Sequence, residues 1–367
     1  MSRLRSIAGA IAAILVALLL YLFFWPVPLE PVAWNAPVDA GLIDPFEPND
    51  RLARARLIAL GTHEGPEDIV GGPDGLIYTG TSDGKIIRLA PSGSNVEEFA
   101  DTGGRPLGME FDVDGNLIVA NAELGLQRVT PAGNVSILVD SYNGKKIVYA
   151  NDAAVANDGT IYFSDSSSKF GASVSGGSYE ASLLDILEHG GNGRVFRHDP
   201  VSGETAVIVD GLNFANGVAV SEDQKYILVN ETGSYRVLRY RIDGPTAGTG
   251  EVIIDNLPGF PDNINNGLNG RFWIGLVAPR NRMLDSLADK PWLRKVLQRF
   301  PAASRPKAVP SSHVIAIDGD GVVLMNLQDT GAQLPALTGV YETKDAIWLS
   351  TLFGNRVGIL RKQLLTN

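Results

Sequence analysis

Seven oxygen-bearing side chains in four short segments carry the chemistry open to this chain. "HEGPEDIV" holds Glu67 and Asp68, "YANDAAV" holds Asn151 and Asp152, "NFANGVAV" holds Asn216, and "FPDNIN" holds Asp262 and Asn263. Taken singly, each reads as a turn residue or an Asx cap at a strand end. Taken together they recur about one strand ahead of a repeated turn, which is one structural position visited four times. A polar group facing a channel of β-branched strands is costly unless it is paired or coordinated. Calcium takes six to eight hard oxygen ligands, amide carbonyls included, and tolerates irregular geometry. Zinc calls for histidine or thiolate, and three of the four segments contain no histidine.

The elements that must position these groups also repeat. A polar turn followed by a short apolar, β-branched or aromatic run occurs at Pro73 ("PDGLIYTG"), Val113 ("VDGNLIVAN") and Asn157 ("NDGTIYFSD"). It occurs again at Glu222 ("EDQKYILVN"), Leu268 ("LNGRFWIGL") and Thr343 ("TKDAIWLST"). The steps between turns, from Asp74 to Asp345, are 40, 44, 65, 46 and 76 residues. Multi-strand units of roughly 40–50 residues are the signature of propeller blades. Six copies predict an all-β, six-bladed β-propeller over residues 57–367, with the two long steps holding insertions. Those insertions read as helical: "SYEASLLDILEHG" from Ser178 has a spacing near 3.6 and a glycine stop. "RMLDSLADKPWLRKVLQRF" from Arg282 sets Trp292, Leu293, Val296, Leu297 and Phe300 on one stripe, with Arg294, Lys295 and Arg299 elsewhere. Such a helix caps a propeller face, lies against lipid, or does both.

Ahead of the repeats, Arg3 and Arg5 precede an uncharged run from Ile7 to Trp25 that ends in aromatics. Its length and flanks predict an uncleaved membrane anchor over residues 1–25 rather than a signal peptide. The arginines place the N-terminus in the cytoplasm and the rest on the extracytoplasmic side. Residues 26–56, with six prolines, read as a partly extended linker. The net charge of −10 argues against nucleic acid as a partner. With no cysteine in the chain, disulfides, thiolate metal sites and cysteine nucleophiles are excluded. The one G-x-S-x-G match, "GTSDG" from Gly80, leads into the strand-like run "KIIRLA" and not a helix, so it gives no support for an α/β-type serine hydrolase.

"NDAAVANDGTIYFSDSSSKF", "GRVFRHDPVSGE", "LNFANGVAVSEDQKYILVNET" and "FPDNI" resemble the strictosidine synthase-like and gluconolactonase-like six-bladed propellers. The anchor matches the membrane-attached branch typified by adipocyte plasma membrane-associated protein. "PEDIVGGPDGLIYTG", "NDAAV", "FANGVAVSEDQKY" and "DNI" are more distantly similar to the calcium-binding segments of paraoxonases. Carried over by position, that likeness implies a catalytic calcium held by Glu67, Asn151, Asn216, Asp262 and Asn263. It implies a second, structural calcium at Asp68 and Asp152. Where paraoxonases place a histidine pair, this chain has Leu107 and Ala122. Where strictosidine synthase has its glutamate, it has Thr338.

The expected activity is therefore calcium-dependent hydrolysis of an ester or lactone, with Asp262 as the candidate base. His63, the one histidine near these segments, is a second candidate, since histidine titrates near neutrality. His198 and His313 read as solvated and structural. The alternative is a non-catalytic, membrane-tethered propeller whose calcium is structural. A strictosidine synthase-type condensation is disfavoured by Thr338. Substrate identity and oligomeric state are not legible.

Overall fold

A computed structural model describes residues 2–365, with side chains from residue 5 onward; the side chain of Arg3 lies outside that description. Six four-stranded antiparallel sheets form the blades of a propeller, preceded by one helix, Ser2–Phe24. The innermost strands are Ile69–Gly71, Pro106–Phe111, Ala150–Val155, Ala215–Val220, Gly259–Asn266 and Leu337–Glu342. Blades one to five each use four consecutive strands. The sixth takes its outermost strand from the front of the chain, where Arg56–Ala59 pairs antiparallel with Arg356–Ile359.

The apolar runs read from the repeats are the second strands of the blades. They are apolar throughout, not alternating, because both faces of each blade are covered. Period-two geometry divides each run between two cores. In the third blade Ile161 and Phe163 pack toward blade two, whereas Tyr162 packs toward blade four. In the sixth, Ile347 and Leu349 face blade five and Trp348 faces blade one. Every pair of neighbouring blades shares such a cluster.

Both insertions join the second and third strands of their blades, between Asp165 and Gly193 and between Pro279 and Ser312. The second strand runs antiparallel to the innermost one, so these connections leave on the face where innermost strands begin. The first insertion holds the helix Ser178–Glu188. The second differs from the single helix expected. It forms Arg282–Ser286 and Pro291–Arg299 instead, because Pro291 has no N–H to donate and is accommodated only at a helix start.

The linker is extended, as its prolines dictate, but it is not free. Leu29 and Leu52 are buried, and the Trp34 ring stacks on His189 at 3.9 Å. Val32 N donates to Glu188 O, and Arg280 Nη2 donates to Pro37 O at 2.6 Å. Residues 29–52 thus form a strap fastened to the face that carries the helices.

Candidate metal centre and its cavity

Five innermost strands share one irregularity. Their register with the second strand slips between Pro106 and Met109, Ala150 and Ala153, Ala215 and Val218, Pro261 and Ile264, and Leu337 and Val340. A β-bulge re-aims side chains that regular pleating would point into the blade interfaces. The first bulge residues are Leu107, Asn151, Asn216, Asp262 and Thr338. Glu67, just before the strand that begins at Ile69, occupies the corresponding place in blade one. The second bulge residues are Gly108, Asp152, Gly217, Asn263 and Gly339, with Asp68 as the blade-one counterpart. The glycines let the strands crowd the axis: a Cβ on Gly108 would lie 1.9 Å from Asp152 Oδ1, and one on Gly217 would lie 2.3 Å from Ile264 N.

Glu67, Asn151, Asn216 and Asp262 form the floor of a cavity of about 420 Å³. Its walls are apolar, with Leu107, Tyr149, Phe214 and Phe260 below and the inserted helices above. The floor has a polarity problem. Glu67 Oε2, Asn151 Oδ1 and Asn216 Oδ1 are buried and accept no hydrogen bond, and the same holds for Asn263 Oδ1, next in sequence to Asp262 but outside the cavity lining. The amide nitrogens of the same residues are all committed. Asn151 Nδ2 donates to Ser166 Oγ at 2.8 Å, Asn216 Nδ2 to Asp262 Oδ1 at 2.6 Å, and Asn263 Nδ2 to Glu67 O at 3.2 Å. Each amide therefore turns its oxygen away from its only partner. Buried polar atoms of this kind are rare and call for an explanation.

The electrostatics point the same way. Burial pushes the Glu67 carboxyl well above its usual range, and the charges of Asp262 and Asp68 push it further. Burial raises Asp262 to about 7 despite the hydrogen bond from Asn216. Arg105, which donates to Gly65 O at 2.8 Å, is the nearby cation and is itself lowered by burial. Among the described residues, no group of three or more His, Cys, Asp or Glu side chains gathers to hold a metal. The donor set is two carboxylates and three amides, all hard oxygens, which fits calcium and not zinc.

Asp68 and Asp152 differ from their neighbours. Asp68 Oδ2 accepts from Met109 N at 2.8 Å and its Oδ1 from Asn265 Nδ2 at 3.0 Å. Asp152 Oδ2 accepts from Val218 N at 2.7 Å and its Oδ1 from Ala153 N at 2.8 Å. Both oxygens of each are engaged, so the orphaned-oxygen observation does not extend to a second metal here. These carboxylates latch one blade to the next, as do Glu110, which accepts from Val155 N at 2.6 Å, and Asn265, which accepts from Val340 N at 2.9 Å.

His63 is not brought to the cavity. Its Nδ1 lies 2.8 Å from Asp83 Oδ2 and its Nε2 3.7 Å from Glu98, an arrangement on the rim of blade one. Two charged partners hold the ring away from the axis. No histidine lines the cavity. His198, expected in solvent, is instead buried and bonds Thr205. Thr338 is absorbed in structure, its hydroxyl donating to Glu67 O. Sequence reasoning missed Asn230, whose Nδ2 donates to Asp262 O at 2.6 Å while its Oδ1 stays unpartnered. The only signal was an asparagine ending the apolar run "ILVN".

Comparisons with known proteins identify the lineage. Residues 151–245 match the family model for strictosidine synthase, and residues 44–89 match that for the strictosidine synthase-like N-terminal region. Adipocyte plasma membrane-associated protein of Salmo salar is 33% identical over 348 residues, covering 88% of this chain and 81% of that one. The chain belongs to the strictosidine synthase-like family. Its Arabidopsis thaliana relative, strictosidine synthase-like 10, is 30% identical and covers 89% of this chain and 93% of its own length. Among solved structures, a gluconolactonase from Xanthomonas campestris superposes with a TM-score of 0.61 at 18% identity, over 91% of this chain and 98% of that one. A calcium-binding regucalcin from Agrobacterium tumefaciens gives 0.58 at 13% identity, over 83% and 93%. At those identities the likeness concerns the fold. One helix of this strictosidine synthase-like chain, Arg5–Phe24, is long and apolar enough to cross a membrane.

Proposed function

We propose that this protein is a membrane-anchored hydrolase of esters or lactones whose axial site holds a calcium ion. The observation that carries the reading is the set of three buried, partnerless oxygens, from Glu67, Asn151 and Asn216, on the floor of an otherwise apolar cavity, with a fourth on Asn263 beside Asp262. Glu67, Asn151, Asn216, Asp262 and Asn263 would hold the ion. A divalent cation at such a floor supplies Lewis-acid polarisation of a carbonyl oxygen. The rest falls to the chain's own groups. The apolar walls exclude water and orient the acyl portion of a substrate. Asn216 fixes one oxygen of Asp262 at 2.6 Å, which orients that carboxylate toward the cavity. Asp262 is the candidate base for an attacking water, since no histidine is at hand. Names borne by fold neighbours, gluconolactonase among them, are consistent with this reaction class.

A second reading keeps the ion but not the chemistry: a tethered binding module. Leu107 on the cavity wall favours it, since that position offers no proton acceptor. Purified full-length protein assayed on aryl esters and lactones, with and without chelator, separates the two. Chelator-sensitive turnover supports the hydrolase. Calcium-dependent melting with no turnover supports the module and overturns the hydrolase. The proposed orientation puts the N-terminus in the cytoplasm and the propeller outside.

A further inference from the structure

The helix Pro291–Arg299 buries two arginines beside Leu297 and turns its aromatic to the outside. Its arginines point inward: Arg294 is 2% exposed and Arg299 8%. Arg294 Nη1 donates to Leu187 O and Glu188 O, at 3.0 and 3.2 Å. Its aromatic faces outward instead. Trp292 is 56% exposed, and Phe300, one residue beyond the helix, is 40% exposed.

Arg299 ties this helix to the anchor. Its Nε donates to Trp25 O at 2.6 Å and its Nη1 to Leu22 O at 2.8 Å, while Tyr21 donates its hydroxyl proton to Arg299 O at 3.0 Å. Those carbonyls lie in the last turn of the apolar helix and just past it, so one buried guanidinium caps the span. The Trp292 ring stacks on Phe23, centroids 6.1 Å apart at 18°. Tyr21, Phe23, Phe24 and Trp25 sit where interfacial aromatics belong, and Trp292 therefore lies at the same depth.

The cavity is drawn to that level. Pro28, Leu297 and Gln298 line it. Pro28 is three residues beyond Trp25, and three residues of chain span at most about 10 Å. Charge adds a second, independent pull. Residues 280–310 contain eight Arg and Lys against two Asp, in a chain whose net charge is −10. Of these, Arg282 and Lys307 are exposed, and Lys290, Lys295 and Arg305 are partly so; Lys290 pairs with Asp289 and Lys295 with Glu30, so Arg282, Arg305 and Lys307 carry the net positive charge. A basic patch of this sort is attracted to anionic lipid headgroups.

We propose that the rim formed by residues 282–309 is a membrane-docking surface, clamped to the anchor by Arg299, so that the cavity opens at the bilayer interface. The occupant of this surface is lipid. A substrate with an apolar tail then enters from the membrane and presents its polar end to the axial oxygens; that last clause rests on the hydrolase reading.

The absence of native cysteine makes the test direct. Full-length protein in nanodiscs of phosphatidylcholine with phosphatidylserine is labelled at Trp292→Cys, Phe300→Cys or Val113→Cys, the last in an exposed turn on the opposite face. Quenching by lipids carrying a nitroxide near the headgroup is expected to be at least threefold stronger at 292 and 300 than at 113. Equal quenching at 292 and 113 overturns the proposal. Adding Arg299→Gln should reduce quenching at 292 while a label at Leu15→Cys, mid-span, stays fully quenched by lipids carrying the nitroxide deep in the acyl chain; unchanged quenching at 292 overturns the clamp. The measurement has no catalytic readout. If 292 is quenched and neither long- nor short-chain esters turn over in the same nanodiscs, the docking stands and the hydrolase reading falls.

Discussion

The axial channel has two floors, one residue apart in sequence, and they solve burial in opposite ways. On the cavity side, Glu67, Asn151, Asn216 and Asp262 gather oxygens with too few donors. One step along, Asp68 and Asp152 gather oxygens whose donors are all present: a backbone N–H of the next blade for each, with the Asn265 amide completing Asp68 and Ala153 N completing Asp152. The same residue types thus serve an external ligand on one floor and the ring's own cohesion on the other. What separates them is geometry, not chemistry. In blades two to five the bulge hands its first residue to the cavity, and in blade three it hands the second, Asp152, to the neighbouring blade. A buried carboxylate is therefore informative about a ligand only once its hydrogen bonds have been counted.

The comparison predicts substitutions of opposite sign. Asp152→Ala strips acceptors from Val218 N and Ala153 N and leaves buried donors unpaired, at about 1–3 kcal/mol each. Denaturant unfolding of metal-free protein should show a loss of about 3 kcal/mol, and an unchanged midpoint would dissolve the latch. Asp262→Asn should do the reverse: slightly raise the metal-free melting temperature while weakening calcium binding by about two orders of magnitude, since affinity follows ligand charge. Calorimetric titration of that variant checks it; wild-type affinity would remove Asp262 from the ligand set.

A third expectation concerns pH. Glu67 and Asp262 have folded-state pKa values raised above their unfolded ones, Asp262 to about 7 against 3.8. The folded state then holds these protons more tightly than the unfolded chain does. Their stabilising contribution is fully present below about pH 4 and is lost as pH rises toward 7. Metal-free protein should melt progressively lower from pH 4.5 to 7.5, and saturating calcium should flatten that slope. A slope indifferent to calcium would mean that the ion binds elsewhere. The smallest effect is expected at His63→Ala. With the ring held by Asp83 at 2.8 Å on the blade-one rim, turnover should change less than about twofold. A large loss restores His63 to the mechanism.

The propeller was legible because six polar turns punctuate six apolar runs, and local chemistry sets that pattern. The bulges were not, since a register slip of this kind leaves no mark on composition. Asp68 and Asp152 accordingly read as ligands of a second, structural calcium, with no sign in the sequence of the backbone donors they engage. Pro291 was legible as a break and was overridden by the apolar stripe around it. That stripe also hid the inward turn of Arg294 and Arg299, whose partners are backbone carbonyls and carry no sequence signature. The linker's prolines dictated extension correctly, but its docking depends on Trp34 meeting His189, two residues 155 positions apart that no local pattern connects.

The strand that closes the ring has a consequence for how the protein is made. Arg56–Ala59 emerges directly behind the apolar helix and the strap, whereas its partner, Arg356–Ile359, is made some 300 residues later. For some 300 residues of elongation the first strand of the domain waits with an unsatisfied edge. Blades one to five can each form from contiguous chain in that interval. The ring itself is sealed only once Arg356–Ile359 has been made, by a single pairing of high sequence separation, the kind that folds slowly.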